Sequence, residues 1–155
     1  MGTAPASCIS QINSIQRKAL RILADAKYNE PIEEAYKKMH ILKVEDIFKL
    51  QACVYGWKFI NKQLPKEIDK LMKPGNERSL QIQHNKFNIL SLKQLSPIDF
   101  ITREWNKLPI IIRESPTINT LKKALCSHYI EKYLKSCKKK TAAKDWSHLI
   151  EHSSH

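Results

Sequence analysis

The chain has 155 residues, enough for one domain of ordinary size, and its 42% apolar content suffices for one core. Three glycines are too few for a glycine-punctuated all-β fold, and they exclude the glycine-rich loops that bring backbone against phosphate. Lys plus Arg number 27 against 15 acids, a formal charge of +12, so polyanions, and nucleic acid first among them, are the partners to consider.

Residues 1–8 are small and polar and are expected to be disordered. From Ile9 onward, Ile12, Ile15, Ala19, Ile22 and Leu23 recur at helical spacing, which predicts a helix burying that stripe. Arg17, Lys18 and Arg21 lie mostly off the stripe, so its opposite surface is basic. Asn29-Glu30-Pro31 breaks the pattern, and a short helix is predicted over 32–39, with Glu33 and Glu34 complementing its positive end. The segment 44–61 reads as the longest early helix. Ile47, Leu50, Val54 and Trp57 share one side, and Phe48, Tyr55 and Phe59 widen the apolar surface, so much of it is expected to be buried. Leu64-Pro65 ends that helix. Ile68, Leu71 and Met72 suggest another short one, stopped by Lys73-Pro74-Gly75-Asn76.

Residues 77–95 give only brief alternation, at Leu80, Ile82, Phe87 and Ile89. They read as a loop, with extended segments or a small hairpin as the alternative. Ser96-Pro97 is a helix start, with the serine as cap and the proline in the first turn. Ile98, Ile101, Trp105 and Leu108 form the buried stripe that follows. Ser115-Pro116 repeats the device ahead of a stripe of Ile118, Leu121, Leu125 and Tyr129, ending near Leu134. Residues 135–155 then form a basic tail, expected to be disordered, in which Lys135, Lys138, Lys139, Lys140 and Lys144 precede the first acid, Asp145. The fold expected is mainly α, about six helices in a small irregular bundle over 9–134, with an extended or loop segment near 77–95.

A search for chemistry yields little. The cysteines Cys8, Cys53, Cys126 and Cys137 form no CxxC pair and lack zinc spacing, which fits a reduced intracellular compartment, nucleus or cytoplasm. Cys126 and His128 are two apart, so on a helix they point in different directions and make no nucleophile–base pair. No Asp-Asp or Asp-x-Asp occurs to hold two metals for phosphoryl transfer. His148, His152 and His155 could share a helix face, but they fall at a serine-rich terminus where a solvated end is the simpler reading. No cofactor or metal is expected, nor any membrane span, since no apolar run approaches the needed length. The basic residues fall into groups: Arg17, Lys18 and Arg21, then Lys122, Lys123, Lys132 and Lys135, extended by Lys138, Lys139 and Lys140. Such groups contact phosphate and position a chain without reading sequence. Trp57, Trp105 and Tyr129 could stack on bases, but their helical spacing to Ile and Leu assigns them to the core, with Leu108, Leu121 and Leu125 beside them.

Three blocks carry a resemblance. Ile15-Gln16-Arg17-Lys18-Ala19-Leu20-Arg21-Ile22 with Lys27-Tyr28-Asn29 is the first. Ile41-Leu42-Lys43-Val44-Glu45-Asp46-Ile47-Phe48 is the second. The third is Trp105-Asn106-Lys107-Leu108-Pro109, then Ser115-Pro116 and Leu121-Lys122-Lys123-Ala124-Leu125. In this order, from about residue 12 to 133, they resemble the C-terminal, post-palm region of reverse transcriptases from jockey-like non-LTR retrotransposons. The resemblance implies thumb-like helices that hold a template–primer duplex or element RNA, with the rest of a reverse transcriptase as a partner. The polymerase's paired aspartates have no counterpart here, so polymerase activity does not carry over, and Leu121 stands where that family commonly has Phe. The function expected is a non-catalytic nucleic-acid-binding fragment that grips RNA or DNA by the phosphate backbone. The alternative is a small helical protein-interaction module whose lysines keep it soluble.

Overall fold

A computed structural model describes residues 6–27, 30–82 and 96–151, with residues 136–151 described as backbone. The protein is mainly α-helical. Helix α1 spans Ala6–Leu23, α2 Ile32–Lys38 and α3 Val44–Ile60. A 3-10 turn at Lys66–Lys70 leads into a two-stranded hairpin, β1 Met72–Pro74 and β2 Leu80–Ile82, joined through a 3-10 turn at Asn76–Arg78. Helices α4 (Pro97–Asn106), α5 (Ile110–Arg113) and α6 (Ile118–Glu151) complete the described chain.

Helix α3 is the hub, packed against α1, α4 and α6. It is apolar nearly all round, and Leu50, Ala52, Cys53, Val54, Trp57 and Phe59 are all buried. Gly56 lets α4 approach closely. A Cβ there would sit 3.1 Å from two ring atoms of Trp105 and 3.2 Å from Leu80 Cδ1. The predicted face is only partly right, because Ile47 and Phe48 at the first turn are exposed.

Helix α1 departs further from expectation. Its apolar stripe points outward: Ile12 is 47% exposed, Ile15 67%, Ile22 81% and Leu23 64%. The helix docks instead through Leu20 and two amides. Gln16 Nε2 donates to Leu42 O at 2.8 Å, and its Oε1 accepts from Tyr36 Oη at 3.2 Å and from Val44 N at 3.3 Å. Asn13 Nδ2 donates to Glu45 Oε1 at 3.0 Å. Side-chain amide bonds to Leu42 O, Val44 N, Tyr36 and Glu45 fix the helix rotation where an apolar stripe alone would have chosen the other face.

The hairpin also differs from the sequence reading. Met72 belongs to a strand, not a helix, and pairs antiparallel with Ile82, Lys73 with Gln81 and Pro74 with Leu80. The turn falls after Pro74, and Glu77 and Arg78 both take positive φ. Phe87 and Ile89 lie outside the described residues. Helix α6 is capped by Thr117 and not by Ser115. Thr117 Oγ1 accepts from Thr120 N at 3.2 Å and Thr120 Oγ1 from Thr117 N at 3.1 Å, a reciprocal capping box. Ser115 is buried and donates to Ile112 O at 2.7 Å. The α6 backbone does not stop near Leu134 but continues as helix to Glu151, so the described part of the segment expected to be a disordered tail is helical. No glycine or proline interrupts 135–151, and lysine and alanine favour helix. The N-terminal boundary moves too, since α1 begins at Ala6.

A buried polar cluster ties three helices, α2, α3 and α6, together. Tyr133 Oη donates to Asp46 Oδ2 at 2.5 Å and accepts from Lys43 N at 3.1 Å. Lys49 Nζ pairs with Asp46 Oδ1 at 2.6 Å, and the Tyr36 and Tyr133 rings meet edge-on at 5.7 Å. Burial pushes the phenols of Tyr36, Tyr129 and Tyr133 above their ordinary value, and the bond to Asp46 adds to this for Tyr133. A raised folded pKa favours the neutral phenol in the fold. The stabilisation is therefore whole below the unfolded value near 10 and is lost as pH rises past it. Alkaline titration should show these three phenols ionising only as helical circular dichroism collapses. Three phenolates appearing while helicity is intact would contradict the burial.

Candidate nucleic-acid interface

The basic residues singled out by sequence fall on separate surfaces. Arg17, Lys18 and Arg21 line a cleft between α1 and the start of α3, with Ser10, Asn13, Ser14 and one acid, Glu45. Within that set Arg21 is already committed. Its Nη1 donates to Lys27 O at 2.7 Å and its Nη2 to Glu30 O at 3.2 Å, closing the α1–α2 connection.

Lys122 and Lys123 sit elsewhere, on an open groove of about 1240 Å³ between α2 and α6. Lys37, Lys38 and His40 join them there, and so do Glu30, Glu34 and Glu131. The groove is therefore mixed in charge, with the cations in modest excess. The two clefts share no lining residue. Lys132 and Lys135 are exposed but line neither cleft, and Lys132 Nζ lies over the Tyr129 ring at 5.6 Å. The side chains of Lys138, Lys139 and Lys140 lie outside the described residues.

The aromatic candidates are all interior. Trp57, Trp105 and Tyr129 are 5%, 0% and 4% exposed, and Leu108, Leu121 and Leu125 are buried with them. None offers a ring face for a base to stack on. Trp57 Nε1 donates to Ser115 O at 2.8 Å and Trp105 Nε1 to Arg78 O at 2.6 Å.

Residues around Cys126 and His128 are poorly suited to nucleophilic chemistry. Burial raises the Cys126 thiol. Burial lowers the His128 imidazole, with Lys132 and Lys135 adding to the effect and Glu131 opposing it. Cys53 is pushed up to about 12, chiefly by burial, so its thiolate is absent at neutral pH. Among the described residues no group of His, Cys, Asp and Glu is placed to hold a metal ion, and no helix is long and apolar enough to cross a membrane. His152 and His155, and the side chain of His148, lie outside the described residues.

The blocks quoted from the sequence turn out to be joints. Gln16 and Arg21 fasten α1 to the chain that follows it, and Lys43 and Asp46 meet Tyr133 of α6. Asn106 brackets Leu80, with Oδ1 accepting from Leu80 N at 2.9 Å and Nδ2 donating to Leu80 O at 2.8 Å. Sequence reasoning missed Arg113, and it read Arg78 only as one of the residues that make the segment 77–95 basic. Arg113 is buried and donates to Glu77 O at 3.0 Å, and Arg78 sits in the same turn. Arg113 is 36 positions from Glu77, and no local pattern signals that contact. No protein-family model, curated protein or solved structure matches the chain.

Proposed function

We propose that this chain binds nucleic acid without catalysing a reaction, gripping the phosphate backbone of RNA or DNA through lysines and arginines. The observation that carries the reading is the charge, +12 on 155 residues, with exposed cations on α1 and around the α2–α6 groove. The three sequence blocks support an origin in the post-palm region of a non-LTR retrotransposon reverse transcriptase, with the remainder of such an enzyme as a natural partner inside the cell. Backbone contacts of this kind release counter-ions, so affinity falls with salt and is nearly indifferent to sequence.

The test is a salt titration against duplex and single-stranded oligonucleotides. The log of affinity should fall linearly with the log of salt concentration. Lys122→Glu with Lys123→Glu should weaken binding about tenfold or more and flatten the slope by about two phosphate contacts. Thermal stability should change little, since both side chains are exposed. Binding that ignores salt, or a double variant that binds as tightly as the parent, would sink the reading.

A second reading, a helical protein-interaction module, is favoured by one observation: the outward apolar stripe of α1, with Ile15 and Ile22 exposed by two thirds or more. Light scattering that shows a defined oligomer, alongside weak salt-insensitive nucleic-acid binding, would select it.

A further inference from the structure

Among the described residues the fold neutralises both of its buried acids but gives its one buried cation, Arg113, no counter-charge. Asp46 is met by Lys49 at 2.6 Å, and Glu104 by Lys107 at 2.7 Å and Arg103 at 3.5 Å. Arg113 is 8% exposed, as buried as those acids, yet among the described residues it makes no ion pair. Its Nη1 donates to the backbone carbonyl of Glu77, and its Nε is buried without a partner. Arg78, the next residue along that turn, is only half-buried but is bound as sparsely. Its Nη2 makes one long bond, 3.4 Å, to Asn61 Oδ1, and its Nε is likewise buried and unpartnered. A guanidinium stays charged at any ordinary pH, so burial cannot be relieved by losing a proton. A permanent charge taken out of water calls for an anion.

We propose that Arg78 and Arg113 form a binding site for a phosphate group where the hairpin turn meets α5. A planar fork of N–H donors suits a tetrahedral oxyanion, and both arginines belong to one turn, Arg113 through its bond to Glu77 O and Arg78 as the next residue. The turn is held before any ligand arrives. Arg113 fixes Glu77, Trp105 fixes Arg78 O, and Glu77 and Arg78 keep positive φ under those bonds. Pre-formed geometry lowers the ordering cost of binding. The long Asn61 bond is the contact an incoming oxygen displaces. The site takes the phosphate of a nucleic-acid backbone or of a free phosphate compound. It rests on the function proposed above only for the choice of source.

The experiment uses the full chain with inorganic phosphate at fixed ionic strength, read by thermal shift and by phosphorus NMR line broadening. The parent should show a saturable rise in Tm with phosphate that chloride does not give. Arg78→Gln should abolish the saturable rise while leaving the Tm in chloride near that of the parent. Arg113→Lys, which keeps the charge and removes the fork, should weaken it. A parent that shows no saturable rise, or an Arg78→Gln protein that keeps all of it, overturns the site. A second arm measures the salt slope for an oligonucleotide. A slope reduced by about one in Arg78→Gln assigns the phosphate to nucleic acid. An unchanged slope with phosphate binding intact in the parent assigns it to a free phosphate compound. If the parent binds phosphate but no oligonucleotide, the site stands and the nucleic-acid function falls.

Discussion

Trp105→Ala should destabilise the protein by about 3–5 kcal/mol, a large part of the stability of a domain this size. The indole is wholly buried, and it touches the hub helix at its most intimate point, over Gly56. Truncation leaves a cavity that α3 and α4 cannot close without moving the hairpin. The loss has two parts that a second variant separates. Trp105→Phe keeps most of the apolar volume but cannot donate to Arg78 O, a bond of 2.6 Å. It should cost about 1–3 kcal/mol, the penalty for an unpaired buried carbonyl. Urea denaturation followed by circular dichroism gives both values. Hydrogen exchange then reports where the loss falls, and protection should drop first across 72–82. If Trp105→Ala unfolds at nearly the parent urea concentration, the tryptophan is not the keystone of this joint.

How far the fold could be read from the sequence depends on what each element buries. Of the stripe expected on α4, Ile101 and Trp105, with Leu108 just past the helix end, are buried as the spacing implies and Ile98 is partly so, because that helix meets the core through apolar side chains. The Ser96 cap is also local, with its Oγ accepting from Ile98 N. Helix α1 defeats the same reasoning. Its stripe is just as regular, but Gln16 and Asn13 find partners 26 and 32 positions away, and those bonds turn the stripe outward. Periodicity reports which residues share a face, not which face meets the core. The candidate interface shows the same limit. Lys122 and Lys123 were visible as a pair, but the groove they line also holds Glu30, Glu34 and Glu131, and only the packing of α2 on α6 reveals that. The roles of Arg78, Arg113 and Asn106 are wholly tertiary. Each depends on a hairpin whose existence the sequence only hinted at.

Asn106→Ala is the sharper test of that hairpin, because Asn106 is exposed and fills no cavity in the core. On packing grounds alone the substitution would be nearly silent. Hydrogen bonding says otherwise. Leu80 is 1% exposed, so its backbone N–H and carbonyl are both out of reach of bulk water. Across the hairpin it faces Pro74, and because Gly75 N bonds Ser79 O the 74/80 pair exchanges no ladder bonds, so both groups point away from β1. The Asn106 amide satisfies both groups, acting as a third strand one residue long. Removing it strands two buried backbone groups at roughly 1–3 kcal/mol each. Urea midpoints should therefore fall about as far as for a core truncation, with the slope of the transition unchanged. Asn106→Asp tests the geometry at constant volume. A carboxylate still accepts from Leu80 N but cannot donate to Leu80 O and repels it, so this variant should also lose stability at neutral pH. An Asn106→Ala protein as stable as the parent would mean that water replaces the amide at no cost and that the hairpin is held by Trp105 and Arg113 alone. The predicted outcome places Asn106 with them as a third clamp on one turn. Loosening that clamp should also weaken phosphate binding at Arg78, because it removes the rigidity that holds the guanidinium in place.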